Sequence, residues 1–124
     1  MVKTDPAQAW PTRLAFRSAK KDLRIVFDDG AGFDIPFELL RVESPSAESR
    51  GHGAGPPPAI GGKKNVGVTE AVPVGRYAVR IVFDDGHRTG LYTWRFLYEL
   101  GRDRKSRFQA YERRLKDAGL RRAD

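Results

Sequence analysis

Asp84, Asp85 and His87 place two carboxylates and an imidazole within four positions of a 124-residue chain. Carboxylate oxygens and imidazole nitrogens bind divalent metals and also pass protons, so this stretch is a candidate metal or acid–base site. A second group, Glu48, Arg50 and His52, is interleaved with Gly51, Gly53 and Gly55. Glycine lets backbone come close to a ligand, and an arginine beside a histidine can hold an anion. Were His52 and His87 to converge, Glu48 or Asp85 would complete a two-histidine, one-carboxylate metal site. Each group also has a plainer reading. Asp before Gly is ordinary hairpin chemistry, and Asp29 stands in an equivalent place to Asp85, so a structural role for the pair outweighs a chemical one. His87 has no twin, because Ala31 occupies the matching position. The glycine-rich group fits no specific phosphate-binding pattern and reads equally as a solvated loop.

Composition removes several chemistries. The chain has no cysteine, which excludes disulfides, thiolate catalysis and Cys-bound zinc or iron–sulfur clusters. Serines are present, but no nucleophile-elbow pattern accompanies them. No run approaches the roughly 20 apolar residues of a membrane helix, and the first ten residues lack the apolar stretch of a secretory signal. A cytoplasmic protein with no membrane partner is expected. The net charge of +7 is uneven: residues 1–100 carry 14 Lys/Arg against 12 Asp/Glu, and residues 101–124 carry 9 against 4. That basic tail can neutralise phosphates, yet no recognition motif accompanies it, and a charged helix face is the ordinary explanation. Nucleic acid is therefore not the expected partner.

The elements that must position these residues follow from a repeat. RIVFDDG occurs twice, at 24–30 and 80–86. In each copy Ile and Phe alternate with Arg and Val, which predicts a half-buried strand, and Asp-Gly then predicts a hairpin turn. Thr12–Ser18 also alternates, so a three-strand meander is expected over 12–35. A short helix should follow, opened by Pro36 at its first position and ending near Arg41. In the second half a strand over Val66–Val72 is broken by Pro73 and Gly75, and Tyr77–Phe83 is the strongest strand. A return strand around Leu91 and Tyr92 leads to a helix capped by Thr93 and closed by Gly101. Phe108, Tyr111, Leu115 and Ala118 recur at helical spacing, predicting a C-terminal amphipathic helix over 106–118, after which Leu120–Asp124 should fray. Residues 1–11 read as a flexible arm, 12–101 as one domain, 43–65 as a long mobile loop, and 102–124 as a basic helix and tail.

Two stretches, LLRVESPSAESRGHG at 39–53 and VGRYAVRIVFDDGHRTGLYTWRFLYELG at 74–101, resemble the gamma-butyrobetaine hydroxylase-like N-terminal domain family. The resemblance runs from about Leu14 to Gly101 and suggests a small standalone bacterial member. Family members also occur fused ahead of carnitine-pathway dioxygenases and attached to Mrp-type P-loop ATPases that carry iron–sulfur clusters. In the eukaryotic dioxygenases a Leu-Arg pair, then C-x-C-x-x-C and a later Asp-Gly-His, hold a structural zinc. Here the resemblance puts Ser44, Ser46 and Ser49 at the three cysteine positions, and only His87 keeps its type. Neutral hydroxyls hold zinc far less strongly than thiolates, so the family's zinc site should be lost. The catalytic iron belongs to another domain, and hydroxylase activity does not carry over.

The expected fold is α+β: a mainly antiparallel sheet of about five or six strands from two related hairpin-plus-helix halves, with a C-terminal amphipathic helix. The expected function is a non-catalytic accessory or protein-interaction domain, linked by family analogy to iron–sulfur or oxidoreductase metabolism. Its contact residues would be Arg41, Glu48, Arg50, Gly51, His52, Gly53, Asp85, His87, Tyr92 and Trp94. The alternative is a divalent-metal or small-ligand site using His52 and His87 with Glu48, Asp84 or Asp85. No other cofactor is implied, and the protein partner is not named by the sequence.

Overall fold

Every second residue of the first repeat is taken out of water: Leu23, Ile25 and Phe27 are all at most 1% exposed. This alternation fixes the register of β2 (Asp22–Phe27), which pairs antiparallel with β1 (Pro11–Arg17) on one side and β3 (Gly32–Pro36) on the other. The second repeat forms β5 (Ala78–Phe83), flanked in the same way by β4 (Val68–Val74) and β6 (Gly90–Thr93). The structure, a computed structural model, describes residues 9–45 and 59–123. Its six strands are thus divided between two three-stranded antiparallel sheets. The expected α+β class and the two related halves are both present.

Each meander delivers the chain to a helix. Pro36 precedes α1 (Phe37–Val42) as its N-cap rather than as its first helical residue. Thr93 caps α2 (Trp94–Arg102), its hydroxyl accepting from the Phe96 amide at 3.1 Å. α3 (Arg104–Asp117) follows after a single residue, Asp103. Ile25, Phe27, Ile81, Phe83, Leu97, Tyr111 and Leu115 belong to one hydrophobic core, so the halves share an interior. None of the helices among the described residues is long and apolar enough to cross a membrane.

The two DDG turns have the same construction. Phe27 N–H donates to the Ala31 carbonyl at 2.8 Å and Phe83 N–H to the His87 carbonyl at 2.9 Å. The third residue of each loop, Gly30 or Gly86, has φ of +89° or +95°. This is the three-residue hairpin loop whose left-handed last position favours glycine. Asp29 and Asp85 each accept the amide two residues on, both at 2.9 Å. The structural role expected for these aspartates is therefore present in both.

Several boundaries differ from the sequence expectation. Pro73 lies inside β4, paired with Val79, because β4 is an edge strand where a missing N–H is tolerated. Gly101 does not close α2, which continues through Arg102. The glycine serves close packing instead: a Cβ there would lie 2.5 Å from Cγ of Phe33. Gly101→Ala should accordingly cost about 1–3 kcal/mol by overpacking, read as a lower urea midpoint at unchanged m; a loss below about 0.5 kcal/mol would show that Phe33 yields freely.

The flexible arm ends earlier than expected, since Ala9 is buried and Trp10 exchanges hydrogen bonds with Asp28. Residues 1–8 lie outside the described residues. The tail beyond α3 does not fray through Ala123. Gly119 (φ +69°) lets Leu120 N–H reach the Leu115 carbonyl at 2.8 Å, and Gly119 N–H reaches that of Lys116. This Schellman turn sends 121–122 back along 62–64, with Gly62 and Lys64 amides donating to the carbonyls of Arg121 and Arg122. The expected mobile loop is thus anchored at both flanks: Glu43 and Ser44 are buried, and Gly62 and Lys64 pair with the tail.

Candidate functional site

Arg41 stands in the last turn of α1, and the second DDG turn brings Asp85 to it. Arg41 Nε donates to Asp85 Oδ2 at 2.7 Å, and Lys63 Nζ meets the same oxygen at 2.7 Å. The other oxygen, Oδ1, accepts the His87 amide. Side-chain exposures of 12% for Arg41, 18% for Asp85 and 20% for Lys63 leave this network largely out of water. Burial by itself would raise the Asp85 carboxyl. Lys63, the His87 amide and Arg41 together outweigh it and hold the group well below the usual carboxylate range. A carboxylate held this way is a poor general base at neutral pH, and a metal would have to displace two cations to reach it.

Ser44 and His87 form the other arm of the site. Ser44 Oγ lies 3.0 Å from His87 Nε2 and is fully buried. Gly90 makes the approach possible, because a Cβ there would meet Ser44 Oγ at 2.7 Å and the Tyr92 ring at 2.8 Å. Thus two of the positions that the family resemblance assigns to zinc, Ser44 and His87, are neighbours here. The donor set does not fit a structural zinc, since a hydroxyl replaces the thiolate at Ser44. Among the described residues no group of three His, Asp or Glu side chains is arranged to hold a metal ion.

The remaining candidates separate. Asp84 turns from Asp85's partners to Gly67, whose carbonyl its amide meets at 2.9 Å. Tyr92 is fully buried and donates its hydroxyl to the Leu40 carbonyl, so it is a core element and not a contact residue. Trp94 sits at the start of α2, donates Nε1 to the Arg76 carbonyl at 2.7 Å, and packs edge-on against Trp10. Glu48, Arg50, Gly51, His52 and Gly53, with Ser46 and Ser49, lie outside the described residues, and the convergence of His52 on His87 with them.

Lys63 was not legible as a site residue. Its only sequence signal is the Gly61-Gly62 pair before Lys63-Lys64, where glycine permits close approach: a Cβ on Gly61 would lie 2.9 Å from the Arg121 carbonyl oxygen. The duplicated turn is likewise put to two uses. The outer oxygen of Asp29 accepts the Tyr98 hydroxyl at 2.6 Å, whereas that of Asp85 carries Arg41 and Lys63.

Two meanders, each closed by a helix and joined at an ion-paired turn, define a small α+β module. The family model for "Gamma-butyrobetaine hydroxylase-like, N-terminal" matches residues 14–98, and the chain belongs to that family. It is similar to two proteins with solution NMR structures. One is 42% identical with a TM-score of 0.81, covering 98% of this chain and 91% of that one. The other is 40% identical with a TM-score of 0.79, covering 92% and 90%. A crystal structure of a protein of unknown function, of the DUF971 family from Acidithiobacillus ferrooxidans, is 36% identical with a TM-score of 0.65 over 79% of this chain and 98% of that one. None of the curated proteins matches the chain.

Proposed function

We propose that the chain is a non-catalytic accessory module of the cytoplasm that works by holding a protein partner. The supporting observation is that both flanks of the long connection are tied to one turn: Ser44 contacts His87, and Lys63 contacts Asp85. A fixed base of this kind is the usual support of a binding loop. Arg41, Asp85 and Lys63 set that base, and the exposed residues of the same turn, Arg88 among them, face the partner. The family's fusions to oxygenases and to iron–sulfur ATPases suggest a partner in oxidoreductase or iron–sulfur metabolism.

A photocrosslinking amino acid at position 88, with position 13 on β1 as control, tests this reading in the cytoplasm. A defined adduct at 88, absent at 13 and lost in Asp85→Asn, is the expected result. Equal adducts at both positions, or none at 88, would remove the interaction reading.

The second reading is a divalent-metal or small-ligand site that uses His87, fixed in place beside Ser44, with His52 and a nearby carboxylate. Titration with Zn(II), Fe(II) and Ni(II), followed by NMR at the imidazoles of His52 and His87 and the amides of Glu48 and Asp85, separates the two. An interaction module shows weak, independent shifts. Joint, saturable movement of both histidines for one preferred metal would replace it with the metal site.

A further inference from the structure

A cleft lies where β3 meets the α2–α3 junction, with a volume of about 290 Å³. Four cationic side chains line it, Arg24, Arg102, Arg104 and Lys105, against one carboxylate, Asp34. Two glycines shape it, Gly32 by leaving room for the Arg24 side chain and Gly101 by letting α2 close on Phe33. A Cβ on Gly32 would lie 2.9 Å from Nη2 of Arg24, and one on Gly101 would enter the Phe33 ring. The guanidinium of Arg24 therefore lies directly over backbone that carries no side chain.

Three of the cations are already oriented by the protein. Arg24 Nη1 meets Asp34 Oδ1 at 3.2 Å, and Arg104 Nη1 donates to the Asp34 carbonyl at 2.6 Å. Arg102 holds both oxygens of Asp103 at 3.0 Å. Asp34 is further shared with Arg17 at 3.0 Å, so its single charge is divided between two guanidiniums. Lys105 is exposed and makes no ion pair among the described residues. The cleft is a pre-oriented set of donors whose positive charge exceeds what the protein supplies to neutralise it.

We propose that this cleft binds an oxyanion of the phosphate type carrying two or more negative charges. Guanidiniums suit such an anion because their planar N–H groups match tetrahedral oxygens in pairs, while lysine adds a mobile point charge. The internal repeat supplies its own comparison. Arg80 is the twin of Arg24, but it faces Leu91 across β5 and β6, where Arg24 faces Asp34. The same heptapeptide thus presents one arginine to a cationic cleft and the other to an apolar neighbour.

The test is an amide-detected NMR titration of the intact chain with inorganic pyrophosphate at constant ionic strength, with chloride as the screening control. Saturable shifts centred on Gly32, Gly101 and Lys105 are expected. Lys105→Glu should weaken binding about tenfold or more, as charge-assisted contacts do, while Arg80→Ala should leave it unchanged. Position 105 is exposed and in the first turn of α3, where an acidic residue favours the helix, so loss of binding there does not come from unfolding. ADP titrated alongside identifies the source: binding tighter than pyrophosphate points to an anion carried on a nucleoside, and equal or weaker binding to the free anion. The same shifts with chloride, an unsaturated linear response, or equal weakening by Arg80→Ala would each overturn the site.

Discussion

Asp85→Asn will lower the unfolding free energy by about 2 kcal/mol at pH 7, between the scale of an exposed ion pair and that of a buried one. Asparagine keeps a carbonyl oxygen for the His87 amide, so the turn itself survives, and the change isolates the charge. What remains is Arg41, whose Nη1 is already buried without a hydrogen-bond partner among the described residues and which now also loses the acceptor of its Nε. Lys63, somewhat more exposed, loses its acceptor too. The dependence on pH has a fixed sign. The folded carboxyl titrates below its unfolded value, so its contribution is full above the unfolded pKa, about 4, and fades as pH falls toward the folded one. Urea unfolding of both proteins between pH 7 and pH 2 checks this: the gap should be widest at pH 7 and narrow steadily below about pH 4. A gap under about 1 kcal/mol at neutral pH would mean that Arg41 and Lys63 find water as readily as they find Asp85.

Glu38→Ala should cost more, about 3–4 kcal/mol, because its carboxylate is buried. Glu38 is 5% exposed and accepts the Tyr111 hydroxyl at 2.6 Å and both nitrogens of the Arg122 fork at 2.8 Å. Its removal leaves a phenol with no acceptor in the core and frees the segment that Arg122 holds in place. Tyr111→Phe is the milder companion, removing the donor while Glu38 keeps Arg122, and should cost about 1 kcal/mol. Burial first, then the bond to Glu38, pushes the Tyr111 phenol far above its ordinary value. Its contribution is therefore intact below about pH 10, the unfolded value, and is lost as pH rises beyond it. Wild-type stability should fall above that pH, and Tyr111→Phe should fall less steeply. Identical alkaline profiles for the two proteins would contradict the assignment.

Local chemistry was legible wherever a neighbour in sequence decides it. The RIVFDDG repeat announced both central strands and both turns, and Thr93 announced its cap, because alternation and capping act over a few residues. What escaped was decided by contacts between distant segments. Gly101 reads as a helix stop until Phe33 is seen lying on it. Pro73 reads as a strand breaker until β4 proves to be an edge. Glu38 and Glu43 look like ordinary surface acids, yet both are buried. Glu43 takes Arg107 and Arg114, each at 3.1 Å, so part of the basic surplus of the last helix is spent inside the molecule. At the site, the family motif pointed to Arg41, Ser44 and His87, whereas Lys63 had only its paired glycines to mark it.

The bonds from Glu38 reach across 73 and 84 positions of sequence, to Tyr111 and to Arg122. A ribosome delivers residues in order, so β1, β2, β3 and α1 are made long before either partner exists. During that interval the meander carries an acid that must stay hydrated, on a helix whose apolar face the meander covers only in part, through Phe16 on Phe37. Completion of the core is deferred to the last stretch of synthesis, because Tyr111 and Arg122 are what close it over Glu38.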